Sequence, residues 1–251
     1  MPDYAELVRY DVADGVATIT LDSPHNRNAL SRQLLGELLE RLARAAADED
    51  AKVVLLTSAG RVFCSGADLS EAASGAAEDG PRAIVGLQRA IVAHPKPVVV
   101  RLAGPVRAGG IGIVAAADIV VAAEDADFAL TEVKLGLTPA AISLTVLPRL
   151  TSRAAAYTFL TGERFTAAAA VEFGLVTTAV GADGLDAEVA RVCASIVTGA
   201  PQGLRETKAL LARPLLAAID AGADDMATLS ARLFASDEAR EAMLAFLSRK
   251  S

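Results

Sequence analysis

Strand-like and helix-like stretches alternate along the first three-fifths of this chain, which predicts an α/β fold. Three observations carry the prediction. Short, mostly apolar runs recur at 52–58, 97–102 and 118–123, as strands covered on both faces would. Stretches with apolar residues at three- and four-residue spacing lie at 31–47 and 81–93, as amphipathic helices would. Beyond Thr151 the pattern becomes mainly helical.

Taken in order, Gly15 to Leu21 alternates apolar and polar residues and predicts a half-exposed strand. Ser31 to Ala47 predicts a helix capped by Ser31. Lys52 to Ser58 reads as a buried strand, Pro81 to Ala93 as a helix, and 97–102 as a second buried strand. A small-residue segment from Gly109 to Ala117 leads to a third strand at 118–123. Helices follow at Ser152–Leu160, Thr166–Phe173, Leu185–Thr198, Pro201–Leu211, Leu215–Ala235 and Asp237–Arg249. The turn-rich "TGAPQG" at 198–203 divides a core, 1–197, from a helical C-terminal region, 198–251. It is also short enough to be a loop within one unit. No repeat of fixed period is present.

Composition narrows the function classes. With 251 residues, 53% of them hydrophobic, the chain can bury a sizeable core. A net charge of −7 argues against a nucleic-acid or membrane-surface partner, which would want a concentrated basic face. Two cysteines, Cys64 and Cys193, make no disulfide framework, and the start "MPDYAELVRY" has no basic-then-apolar leader, so a cytoplasmic protein is expected. With only His25 and His94, a histidine-rich metal site is not expected, and carboxylates and backbone groups are left to carry the chemistry.

The stretch Arg61 to Ser70, "RVFCSGADLS", puts small side chains where a strand hands over to a helix. Bare backbone N–H groups at such a place can meet negative charge. A second small-residue turn, Ala103 to Gly112, repeats the pattern. Two such turns could aim two N–H groups at one oxygen, although glycines there also serve simply to let a strand and a helix pack closely. Gly104, Gly109, Gly110 and Gly112 lack dinucleotide-loop spacing, and no Gly-Lys-Ser/Thr follows to make a phosphate loop.

Three blocks, "FCSGADL" at 63–69, "AGPVRAGGIGIVAAADIVVA" at 103–122 and "FALTEVKLGLTP" at 128–139, resemble the signature segments of the crotonase, or enoyl-CoA hydratase/isomerase, superfamily. "HNRNALS" at 25–31 resembles its first CoA-contacting turn, and "LTGERFTAAAAVEFGLV" at 160–176 a later helical block. The resemblance runs in order along nearly the whole chain. It implies a spiral of repeated β-β-α units with a helical C-terminal region that assembles subunits into a homotrimer or a hexamer of paired trimers. It implies a substrate carried as a coenzyme A thioester, with no prosthetic group. By the same resemblance, Ala67 and Gly109 supply the oxyanion-hole N–H groups, and Arg27, Ala29, Ser65, Gly66, Ala67, Asp68 and Leu69 meet the CoA. Asp68 has a second reading, as the cap of the helix that follows.

Glu132, directly after the apolar "DFAL", matches the family's acid/base glutamate; taken alone it would read as a solvated carboxylate. Partial burial would raise its pKa toward neutrality and suit it to proton transfer. The chain departs from the family pattern at Gly112, where well-known hydratases carry a second glutamate, at Ala108, and at "TPAAIS" in place of a glycine-rich turn, where Ala140 keeps an N–H. "AGGIGIVAAADI" with "TEVKLGLTPAAIS" is closest in motif to the bacterial methylglutaconyl-CoA hydratase-like branch. The resemblance therefore implies a hydratase acting on a short or branched 2-enoyl-CoA, with a double-bond isomerase and a CoA-thioester-binding protein of little activity as alternatives.

Other residues carry plainer expectations. Cys64 reads as a small buried hydrophobe, His94 as a turn residue and Lys96 as solvated. Asp118 and Asp127 read as structural hydrogen bonders, and Arg107 and Lys134 as surface charges. The segment 71–82 reads as a loop flanking the acyl pocket, and Arg249 and Lys250 as the basic end of the last helix.

Overall fold

The computed structural model describes residues 6–68, 70–71 and 80–248, so Leu69, most of the 71–82 segment and the basic end at Arg249 and Lys250 lie outside the described residues. Six strands make the main sheet in the order β1 (Val8–Ala13), β2 (Val16–Leu21), β3 (Val53–Ser58), β4 (Val98–Leu102), β6 (Ile119–Ala123) and β9 (Thr178–Val180). The pair β1–β2 is antiparallel and every other pair in this sheet is parallel. A smaller sheet holds β5 (Val106–Arg107), β7 (Asp127–Ala129) and β8 (Phe165–Thr166).

The apolar runs are explained by two-sided burial. Val98, Val100 and Leu102 face the large core, while Val99 joins Val53, Val121 and Ala123 on the other face. There they meet Leu185, Val189 and Cys193 of the helix Leu185–Val197. Helix α1 (Arg32–Ala47) buries Leu34, Leu35, Leu38 and Leu42, and Ser31 caps it by accepting from the Leu34 N–H at 3.2 Å. The further helices are α2 (Gly80–Val92), α3 (Gly109–Ala116), α4 (Ala140–Val146), α5 (Ser152–Thr161), α6 (Ala167–Phe173), α7 (Leu185–Val197), α8 (Pro201–Phe234) and α9 (Asp237–Ser248). Helix α8 lies against α2 and α4, and so covers the elements around the second glycine turn.

The structure departs from the sequence reading in several elements, helix α4 among them. Strand β1 was not anticipated, yet Asp14 (φ 50°) and Gly15 (φ 80°) form the tight left-handed turn that an Asp-Gly pair favours in a hairpin. Strands β5, β7, β8 and β9, two or three residues each, are too short to show a period. The two helices expected on either side of Pro214 are one: Pro214 sits inside α8 on its exposed side, where water can satisfy the freed carbonyl of Leu210, while Ala212 and Ile219 stay buried against the core.

Buried polar groups tie the layers together. Lys208 of α8 donates to Asp118 at 2.5 Å and to the Ile91 carbonyl at 3.1 Å, and Asp118 also accepts from the Val98 N–H, so Asp118 is a structural hydrogen bonder. His94 is buried, its ring nitrogens against the Leu42 carbonyl and the Lys96 backbone. Lys96 is not simply solvated: its ammonium donates to the Ala45 and Asp48 carbonyls at the end of α1.

Candidate active site

After β3 the chain enters the first small-residue turn, which a second loop holds in place. The Ser65 N–H donates to the Arg27 carbonyl at 3.1 Å, the Ser65 hydroxyl to the Asn26 carbonyl at 3.1 Å, and the Leu30 N–H to the Gly66 carbonyl at 2.8 Å. Asn28, buried with φ 54°, donates to the Val62 carbonyl at 2.9 Å. Asp68 accepts from Asn26, from the Ser70 hydroxyl and from the Ser70 and Glu71 N–H groups, which is the geometry of a cap and a tether. These bonds hold its carboxyl below the usual range, against the opposing pull of partial burial.

The second turn meets the first edge-on. Cys64 pairs with Val106 in an isolated bridge, and the Ala108 N–H donates to the Ala129 carbonyl of β7 at 3.1 Å. Helix α3 then starts at Gly109. Gly66 has φ 96°, and a methyl there would stand 2.9 Å from the Ala108 Cβ and 3.8 Å from the Gly109 nitrogen. A methyl on Gly109 would stand 2.8 Å from Leu30 Cδ1 and 3.9 Å from the Ala67 nitrogen. The Ala67 and Gly109 amides are therefore neighbours, and among the described residues neither donates to a protein acceptor. Two adjacent free donors, one of them on the first residue of a helix, can share one oxygen and stabilise charge developing on it.

Glu132 opens a short 3-10 turn, Glu132–Leu135, three residues beyond the Ala129 that anchors Ala108. One carboxyl oxygen, Oε2, is buried and has no hydrogen-bond partner among the described residues. Burial pushes the Glu132 carboxyl up from the ordinary glutamate value to about 7, its own N–H opposing only in part. The backbone beneath is fixed: the Gly136 N–H and the Leu137 N–H both donate to the Glu132 carbonyl. A carboxyl with a buried, unpaired oxygen and a pKa near neutrality can either take or give a proton, as general acid/base work requires.

Gly112 is not an open space. A methyl there would stand 2.6 Å from Ile142 Cγ2 and 3.1 Å from Gln88 Oε1. Gln88 itself is fully engaged, donating to the Ile84 and Ala141 carbonyls and accepting from the Thr145 hydroxyl. A side chain at residue 112 would have to displace Ile142, so no second acid fits this wall as it is packed. The Ala140 N–H donates to the Thr138 carbonyl at 2.7 Å and so is not free to hold a water, contrary to expectation. Arg107, expected at the surface, is mostly buried, forms an ion pair with Asp127 and donates to the Val106 and Asp127 carbonyls. Lys134 is exposed.

Of the other predicted contacts, Arg27 is exposed at φ 58° beside the first turn, Ala29 is buried, and Ser65 spends its N–H and O–H on the neighbouring loop. Cys64 is fully buried, and burial pushes its thiol up to about 12, which leaves it inert. Gln88, Thr145 and Ile142 were not anticipated; the only signal was a lone glutamine on the apolar face of 81–93. Among the described residues no cluster of His, Cys, Asp or Glu could hold a metal ion, and no helix is long and apolar enough to cross a membrane.

A family model described as enoyl-CoA hydratase/isomerase matches residues 11–251. A solved Mycobacterium avium structure described as an enoyl-CoA hydratase is 46% identical, with a TM-score of 0.91 and 98% of each chain covered. A second, from Mycobacterium avium paratuberculosis K-10, is 47% identical with a TM-score of 0.92 over 97% of each chain. The peroxisomal Delta(3,5)-Delta(2,4)-dienoyl-CoA isomerase of Arabidopsis thaliana is 30% identical, covering 98% of this chain and 94% of that protein. These likenesses agree with the expected fold class.

Proposed function

Because the chain belongs to the enoyl-CoA hydratase/isomerase family, we propose that its site acts on a 2-enoyl-CoA thioester with Glu132 as the sole acid/base and the Ala67 and Gly109 N–H groups as the oxyanion hole. The observation that carries this reading is the Glu132 carboxyl, pushed up to about 7 by burial, with its Oε2 buried and unpartnered among the described residues. In hydration, water adds to C3, its proton passes to Glu132, and the thioester oxygen takes the charge between the two amides. Glu132 then returns the proton to C2. Each donor is worth roughly 3 to 4 kcal/mol to such a charge. The name of the mycobacterial relative supports hydration, and a short or branched acyl group is what the motif resemblance to the methylglutaconyl-CoA hydratase-like branch implies. A substrate with a distal carboxylate would not find a partner in Arg107, which is already paired with Asp127.

Double-bond isomerisation is the second reading, and one observation favours it. The wall of Ile142 and Gln88 over Gly112 excludes a second carboxylate, and the Ala140 N–H is spent, so little is left to hold a water. An isomerase needs only one base, which takes a C2 proton from a 3-enoyl-CoA and returns it to C4. The CoA lies along Arg27, Ala29 and residues 65–69 in either case. The 198–251 region serves assembly into a trimer or a pair of trimers, consistent with Leu210 and Leu211 of α8, which are 62% and 71% exposed.

Mass spectrometry of products formed in oxygen-18 water from 2-enoyl- and 3-enoyl-CoA panels, with wild type beside Glu132→Gln, tests both readings. Label gained by a 2-enoyl-CoA and lost in the variant establishes hydration. Conversion of 3-enoyl to 2-enoyl without label establishes isomerisation. Binding without turnover would leave a CoA-thioester-binding protein.

A further inference from the structure

We propose that the last helix, α9, is a positioning element for Glu132, acting through Ala239 and Met243 on the turn that carries the carboxyl. Leu135, Leu137, Ala239 and Met243 form a small hydrophobic cluster apart from the main core, with Leu233 and Phe234 packed on it. Gly136, left-handed at φ 69°, lies so close to α9 that a methyl on it would stand 3.3 Å from the Ala239 backbone. Gly136 and Leu137 are the residues whose N–H groups hold the Glu132 carbonyl. The contact thus passes from α9 through two amides to the backbone of the acid/base residue. From the other side Gly162, the C-cap of α5, closes on the Leu130 carbonyl and Val133. A turn held on both sides keeps the Glu132 backbone, and so the start of its side chain, in one place.

Charge plays little part in this support. The ionisable groups on the packed elements, Lys134 on the turn, Asp237, Glu238, Arg240 and Glu241 on α9, Arg232 at the end of α8, and Arg153, Tyr157, Glu163 and Arg164 on and after α5, are all exposed. The Glu132 shift comes from burial, opposed in part by its own N–H. The inference rests on the proposed role of Glu132, so the test has one readout that needs turnover and one that does not.

Wild type, Met243→Ala and Met243→Leu would be compared for kcat and KM on the enoyl-CoA that the wild type turns over. The Glu132 carboxyl would be titrated by carbon-13 NMR in each, assigned from its absence in Glu132→Gln. The expected result is a kcat reduced by up to about 100-fold in Met243→Ala, as small misplacements of catalytic groups produce, with KM within about twofold and recovery in Met243→Leu. The Glu132 midpoint should fall toward the ordinary carboxyl value in Met243→Ala alone, because a loosened turn admits water. A wild-type kcat and midpoint in Met243→Ala, or loss of KM in step with kcat, would overturn the proposal. Should Met243→Ala not fold, Met243→Val removes less volume and carries the same comparison. If the wild type turns over no thioester, the proposed function fails and the titration alone decides the positioning role.

Discussion

On one side of the site, charge is met by backbone: Ala67 and Gly109 offer N–H groups from two turns, and the surrounding residues only have to be small. On the other side, charge is handled by one side chain, Glu132, whose useful property is its burial. The first arrangement is local, since Gly66, Ala108 and Gly109 exclude or admit a methyl by contacts with one another and with Leu30. The second is assembled from a distance, by β7, the α5 cap and α9. A donor pair can therefore be written into a short motif, whereas a tuned carboxyl needs a folded chain around it.

The sharpest way to break the comparison is at Glu132. Glu132→Gln keeps the shape and removes the acid/base, so kcat should fall by about 10²- to 10⁴-fold with CoA-ester binding retained, measured by steady-state kinetics and direct binding. A smaller loss would mean that the backbone side carries most of the rate. Gly66→Ala tests that side. Its methyl would meet the Ala108 Cβ at 2.9 Å from a backbone at φ 96°, displacing the two donors, and kcat should fall by about 10²- to 10³-fold with Glu132 untouched.

How much of this was legible follows the same division. The glycine turns stood out in the sequence because small residues at a strand-to-helix junction have few purposes, and the motif resemblance gave Ala67 and Gly109 their role. The buried strands were visible because both faces of β3, β4 and β6 are covered. Glu132 and the direction of its shift could be expected from the resemblance, but not what supports it: nothing near it in sequence tells that Leu137 and Met243, more than 100 residues apart, would meet beside it. The closure over Gly112 was equally hidden, since Ile142 and Gln88 come from two other helices. Lys96 and Arg107 were read as surface charges because a cation's partner among backbone carbonyls leaves no mark in sequence.

The burial of Glu132 also has a stability signature. Its folded-state value of about 7 lies above the unfolded 4.5, so the folded protein holds this proton more tightly. The associated stability is present below about pH 4.5 and is lost as pH rises to about 7, amounting to about 3 kcal/mol. Denaturant unfolding across pH 4 to 8 should show this loss in the wild type and not in Glu132→Gln, which should be the more stable protein at pH 8. Because the base must be ionised, kcat/KM should rise over the same range, so activity grows as stability declines.

The smallest effect belongs to the backbone side, at Ala108. This residue holds φ 45° and ψ −120°, a conformation that glycine adopts freely and alanine does not. It is kept there by its N–H bond to Ala129 and by the start of α3, which places the Gly109 N–H. Ala108→Gly should relieve the strain and stabilise the fold by about 1 kcal/mol, less the added freedom of the unfolded chain, with kcat nearly unchanged. Since the Ala108 Cβ is also what a methyl on Gly66 would strike, the double variant Gly66→Ala with Ala108→Gly should recover part of the lost kcat. Recovery would show that the donor pair is set by a single steric contact between the two turns. Its absence would place the damage in the left-handed backbone of residue 66 itself.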